Sequence, residues 1–188
     1  MKNKIGAIIY FISLTFLSGF NFTYPETLST GIRTQQQLSN PEIINLFKQK
    51  LPISKDIIIT SVPRGVIVSI NSNIFFEQDK TEIKDCSKNI LLTIGDIIKS
   101  INKLCIIEGH DKNSISENTN SDWEFSVNRA ENIVNFLIEN NNINSKTIRA
   151  IGFGQIMPFS ETVSFGKNMS RRIDFVILNY PEFDHILH

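Results

Sequence analysis

The residues whose chemistry stands out in this chain are two acids and three arginines. Arg129 lies in a helical stretch, and its neighbours three and four positions away are Phe125, Ser126, Asn132 and Ile133. None is acidic, so no helical ion pair occupies the guanidinium. Such an arginine suits the bidentate, charge-assisted grip of a carboxylate, with its head group at the surface of a pocket. The competing reading pairs it with an acid elsewhere in the fold, for structure alone. Ser126 and Asp122 share its helical stripe. Asp111 follows a short apolar strand, which leaves a carboxylate at the strand mouth. Arg171 and Arg172 open a later strand and alternate to opposite faces of it. A carboxylate and a guanidinium held a few ångströms apart would complement a ligand that carries both an ammonium and a carboxylate.

Other arrangements fall short. Gly152-x-Gly154 lacks the third glycine of a nucleotide fingerprint and reads as a turn. His110 beside Asp111 has no nucleophile motif to complete a triad, so the chain is not read as an enzyme. His185 and His188 are two ligands where zinc needs three or four, and no metal or cofactor is expected.

The 188 residues allow one ordinary domain with appendages. Nineteen basic residues balance nineteen acidic ones, which removes the electrostatic case for a nucleic-acid partner. Isoleucine and asparagine are abundant and alanine scarce, so the run Asn140-Asn141-Asn142 is given little functional weight.

Lys2 and Lys4 precede the apolar run Ile5 to Leu17, the pattern of an export signal. Residues 1–20 are therefore a cleaved signal peptide or a retained membrane anchor. Phe20 stands where a lipoprotein would carry its acylated cysteine, which excludes a lipid anchor there. Residues 21–55 read as a linker holding a short helix from Asn40-Pro41-Glu42, with Ile43, Ile44 and Phe47 as its apolar face.

Regular structure follows. Ile57 to Val62 and Val66 to Ile70 are β-rich runs joined by the turn Pro63-Arg64-Gly65. Phe75-Phe76 sits in a polar loop and is expected to pack the core or wall a pocket. From Thr81, Ile83, Ile90, Ile94, Ile97 and Ile101 repeat at helical spacing over about five turns. Leu104 to Ile107 is a strand. Ser121 to Glu124 fits a capping box, so a second long helix is expected to begin there, with Ala130, Ile133, Val134, Leu137 and Ile138 on its buried face. Thr147 to Ile151 and Arg172 to Leu178 are further strands. The fold class is α/β, a two-layer β-α-β-α-β-β sandwich with a mixed sheet and helices packed on one face. The domain runs over 56–180, with a tail at 181–188. Cys86 is expected on the buried face of the first long helix and Cys105 in the next strand, about 20 Å apart, as two buried free thiols.

Four segments in order resemble the OmpA/MotB-like C-terminal domain family: Ile106 to His110, Asp122 to Ala130, Gly152 to Pro158, and Gly166-Lys167 through Ser170 to Ile173. The family's patterns at these places are I-x-G-H-T-D, N-x-x-L-S-x-x-R-A, G-y-G-x-x-x-P and N-R-R-V. The resemblance spans about Val62 to Tyr180, and Trp123-Glu124-Phe125-Ser126 brings it nearer the MotB branch. It implies a periplasmic cell-envelope module that binds peptidoglycan non-covalently, gripping the diaminopimelate of the stem peptide. The partner would thus be peptidoglycan, with a membrane partner if residues 1–20 are an anchor and an outer-membrane assembly among the settings. Arg129 and Arg171 match the family's arginines. Asp122 stands in place of an asparagine, as does Ser170.

After Gly109-His110 the chain has Asp111-Lys112-Asn113 where the family has Thr-Asp-Asn. Aligned without a gap, Lys112 takes the acidic position. With one residue deleted, Asp111 keeps that role, and Asp111 is the expected ammonium acceptor. The expected ligand residues are thus Asp111, Arg129, Asp122 and Arg171. A second reading is a scaffold domain that kept the fold, lost the ligand and serves protein–protein contacts. A flagellar stator channel is not read here, since Ile5 to Pro25 contains no carboxylate.

Overall fold

A computed structural model describes residues 37–52, 54–111, 119–156 and 169–179. Residues 1–20, expected to serve export, the rest of the expected linker, Lys112 and the tail lie outside them. Helix α1 (Asn40–Lys50) starts where the sequence places it, with proline in its first turn and the Ser39 N–H donating to Glu42 Oε2 at 2.8 Å. Its Ile43 and Phe47 are fully buried in the main core. It therefore belongs to the compact body and is not a feature of a linker.

Strands β1 (Ile57–Val62) and β2 (Gly65–Asn71) form the expected hairpin, with Gly65 drawn from the expected turn into β2 opposite Val62. Helix α2 (Lys88–Ile101) is shorter than its isoleucine pattern suggests. Residues 85–87 form a 3-10 turn ahead of it, and its three-residue period breaks the helical phase. Ser87 turns inward, its hydroxyl donating to Ile74 O at 2.5 Å. Cys86 is left exposed, which corrects the expected pair of buried thiols; Cys105 is buried and both are free. Strand β3 (Cys105–His110) follows, then helix α3 (Thr119–Asn141), β4 (Ile148–Gly154) and β5 (Arg172–Leu178). Because α3 is already helical at Thr119, Ser121 lies inside it and is not its N-cap.

The sheet order is β1-β2-β5-β3-β4. β3 and β4 are parallel, joined through α3, while the β1–β2, β2–β5 and β5–β3 pairs are antiparallel. Alternation sorts the sheet into two faces. Val66, Val68, Ile70, Cys105, Ile107, Ile173, Phe175 and Ile177 join Leu91, Ile94, Ile133 and Leu137 of the helices in the main core. Leu104, Val176 and Leu178 form a smaller cluster on the other face, with Ile67 and Ile106 against it.

Two glycines let α3 lie close on the sheet. A Cβ on Gly109 would come within 2.1 Å of Ser126 O, and one on Gly152 within 2.4 Å of Val127 Cγ2. Asn141, in the run first given little weight, is buried and donates to Leu92 O and Asp96 Oδ1 at 2.9 Å each, tying α3 to α2. Asn142 ends α3 with φ of 53°.

Candidate functional site

The C-terminal end of β3, the start of β5 and the middle of α3 meet at one edge of the fold. β3 ends with a register shift against β4 between Gly109 and His110, and the Asp111 N–H then donates to Gly154 O at 3.0 Å. That bond fixes the backbone of Asp111 at the strand mouth. Arg129 reaches it from α3: Nη1 lies 2.5 Å from Asp111 Oδ2. Arg171 approaches from the other side, Nε to Asp111 Oδ1 at 2.9 Å. One carboxylate thus holds two guanidinium groups.

Arg129 is not at a pocket surface, as the sequence suggested. Its side chain and that of Asp111 are each 1% exposed. The guanidinium also donates through Nε to Lys80 O and through Nη2 to Glu77 O, both at 2.9 Å, and through Nη1 to Ser72 Oγ at 3.4 Å. The rings of Phe76 and Phe125 flank it at 4.8 and 4.3 Å, a cation–π sandwich. Burial lowers its pKa from the ordinary arginine value and Asp111 works in the opposite direction; the group remains cationic. Asn132, one turn on, donates to Thr81 O at 2.8 Å. Arg129 and Asn132 together staple the loop over residues 77–81 to α3. Of these contacts only the Phe125 ring, four residues back on α3, follows from helical spacing; every hydrogen-bonding partner comes from another element.

Arg171 is the part of the cluster that meets solvent, with its side chain 21% exposed. Its Nη2 lies 4.0 Å from Asp79 Oδ1, and Asp79 is 58% exposed. Asp79 carried no sequence signal; it stands in a polar loop, and only the stapling of that loop by Arg129 brings it here. Phe76 also lines this edge, as expected of the aromatic pair, while Phe75 packs edge-on to Phe175 in the core.

Asp122 does not join this group. It is fully buried and accepts a hydrogen bond from Gln155 Nε2, holding the end of β4 against the start of α3. It stands seven residues before Arg129, about 10 Å along the helix axis. Ser126 is structural too: its hydroxyl donates to Trp123 O at 2.7 Å and accepts from the Gly154 N–H at 3.0 Å. Arg172 points to the opposite face, as alternation requires, where Nε donates to Asp174 Oδ2 at 2.9 Å. His110 is on that face as well, stacked on Phe153 with centroids 5.0 Å apart. Burial pulls its imidazole toward the neutral form, but Asp174 and Glu108 outweigh this and raise its pKa.

The OmpA family model matches residues 75–172, a stretch that contains Asp79, Asp111, Arg129 and Arg171. The chain belongs to the OmpA family. Domains of this family are structural modules and not enzymes. The chain is 32% identical to Motility protein B of Bacillus subtilis (strain 168) over 119 residues, 61% of this chain and 45% of that protein. It is 25% identical over 118 residues to the uncharacterized protein YtxE of the same organism, covering 61% and 48%. The match thus spans about half the length of these relatives. Among solved structures, the cell wall anchor of the T6SS from Pseudomonas aeruginosa aligns with a TM-score of 0.62 at 16% identity, over 74% of this chain and 99% of that one. The periplasmic domain of Helicobacter pylori MotB aligns with a TM-score of 0.58 at 18% identity, over 73% and 91%. At such identities the likeness is one of fold, and the fold agrees with the expected mixed sheet carrying helices. Among the described residues of this OmpA-family chain, no helix is long and apolar enough to cross a membrane.

Proposed function

We propose that this OmpA-family chain is a periplasmic wall anchor that grips peptidoglycan non-covalently at the mouth of β3 and β5. The observation that carries this reading is the convergence of Asp111, Arg129, Arg171 and Asp79 on one edge of the domain. Diaminopimelate presents an ammonium and a carboxylate on one carbon. The exposed Asp79 carboxylate suits the ammonium, and the outward Nη groups of Arg171 suit the carboxylate. Asp111 forms the floor: it holds Arg171 by Nε while Arg129 neutralises it from beneath. An ammonium that displaced Arg171 from Asp111 Oδ1 would engage Asp111 directly, the role its sequence position suggests. The likeness in fold to the cell wall anchor of the T6SS from Pseudomonas aeruginosa supports an anchoring role. Residues 1–20 then serve export, as a cleaved signal or a retained anchor, and the binding domain takes in α1 together with 56–180.

The test is retention of the purified chain on isolated sacculi. Selective retention that free diaminopimelate competes away is the expected result. Arg171→Ala should lower retention at least about tenfold, since a charge-assisted pair contributes about 1.5–3 kcal/mol, and Asp79→Asn should weaken it in the same direction. Both side chains are partly exposed, so neither change should unfold the domain. Absence of retention in the folded wild-type chain would favour the scaffold reading, in which this edge serves protein–protein contacts.

A further inference from the structure

A second polar cluster lies on the sheet face away from the helices. Glu108 and His110 stand two residues apart on β3 and share that face. Asp174 sits directly opposite Glu108 on β5. The side chains of Glu108, His110 and Asp174 are 6%, 2% and 7% exposed. Two carboxylates facing each other across a ladder repel, and burial sharpens the repulsion. Arg172 offsets Asp174. Glu108 has a weaker cation partner, Arg64 Nη2 at 3.4 Å from a side chain that is half exposed. His110 Nε2 stands 3.3 Å from Asp174 Oδ2 and 3.7 Å from Glu108 Oε2, at ion-pair distance from both but aligned for a hydrogen bond with neither, and its Nδ1 is buried without a partner. Buried imidazoles ordinarily find a partner.

The spacing fits a shared ion better than a hydrogen bond. One ligand atom from each of the three residues lies within 4.8 Å of the other two. Zinc bonds of about 2.0–2.2 Å in a tetrahedron set neighbouring ligand atoms about 3.3–3.6 Å apart. The two distances at Nε2 are already close to that edge length. We propose that Glu108, His110 and Asp174 form a three-ligand site for a divalent ion of the zinc class, its fourth position open to water. One imidazole with two carboxylates suits zinc, whereas calcium takes six to eight oxygens. Arg172 then orients Asp174 from outside the ion, as outer partners of ligating carboxylates do. Arg64, half exposed on the β1–β2 turn, gives way to the ion at Glu108. The bound ion cross-links β3 and β5, the two strands whose ends carry the Asp111–Arg171 contact. The proposal does not depend on wall binding.

The experiment uses the full chain, stripped with a chelator, equilibrated with Zn2+ and analysed for zinc content and unfolding midpoint. One ion per chain and a higher midpoint with zinc are expected. Glu108→Gln and Asp174→Asn should each weaken zinc at least about tenfold and lose the midpoint shift. A Cys86→Ser/His185→Ala/His188→Ala chain, which lacks the exposed thiol and the two other imidazoles, should keep the ion. Cobalt in place of zinc should give the visible absorption of a tetrahedral site, and His110→Gln should abolish it. A wild-type chain that holds no zinc, carboxamide variants that hold it as tightly, or loss of the ion in the triple variant would each overturn the site.

Discussion

Arg129 Nη1 lies 2.5 Å from Asp111 Oδ2, and neither side chain is more than 1% exposed. The pair joins the middle of α3 to the end of β3 beneath the surface of the candidate site. It makes Arg129 a support beneath Asp111 and Arg171, and its first consequences are for stability.

Arg129→Ala should therefore destabilise the domain. Removing one partner of a buried pair costs about 3–5 kcal/mol; here Arg171 still bonds Asp111, so the lower end of that range is expected. The loop over residues 77–81 should loosen as well, because Lys80 O and Glu77 O lose their donor. Urea denaturation measures the first effect and amide hydrogen exchange of the loop the second. A stability change under about 1 kcal/mol would show that the pair contributes little, as some exposed pairs do.

Gly109→Ala should cost about 1–3 kcal/mol, the usual range for overpacking. Its new Cβ would meet the backbone oxygen of Ser126 at 2.1 Å, and a backbone cannot swing aside as a side-chain tip can. The expected result is a lower thermal midpoint, with α3 displaced from β3. A variant as stable as the wild type would mean that α3 shifts freely on the sheet.

The two thiols should behave differently. Cys86 is exposed, while burial and nearby Glu108 push the Cys105 thiol far above its ordinary pKa and out of its reactive thiolate form. Titration of the folded chain with a thiol reagent should modify one cysteine, identified as Cys86 by peptide mapping, and unfolding should release the second. Two fast thiols in the native chain would contradict the burial of β3.

Much of the fold was legible in local patterns. The hairpin at Pro63-Arg64-Gly65, α1 behind Pro41 and the buried stripe of α3 follow from turn chemistry, capping and the 3.6-residue period, all properties of neighbours in sequence. Four ordered motifs were enough to indicate the OmpA family. Local signals misled where a turn changed the helical phase and where a helix ran past its apparent start. The 3-10 turn at 85–87 exposed Cys86, and α3 began before its apparent capping box.

The sequence by itself determined which charged residues this domain has, and that Arg171 and Arg172 point to opposite faces, because strand alternation is a local rule. Only the tertiary structure decided their partners. Asp111, Arg129, Arg171 and Asp79 come from the end of β3, the middle of α3, the approach to β5 and the loop before α2, and no periodicity relates positions so far apart in the chain. The same holds for Asp122, whose helical stripe pointed toward Arg129 but whose carboxylate is taken by Gln155 at the end of β4. Helix spacing fixes direction around one axis, whereas burial and pairing depend on what the rest of the fold brings against that axis.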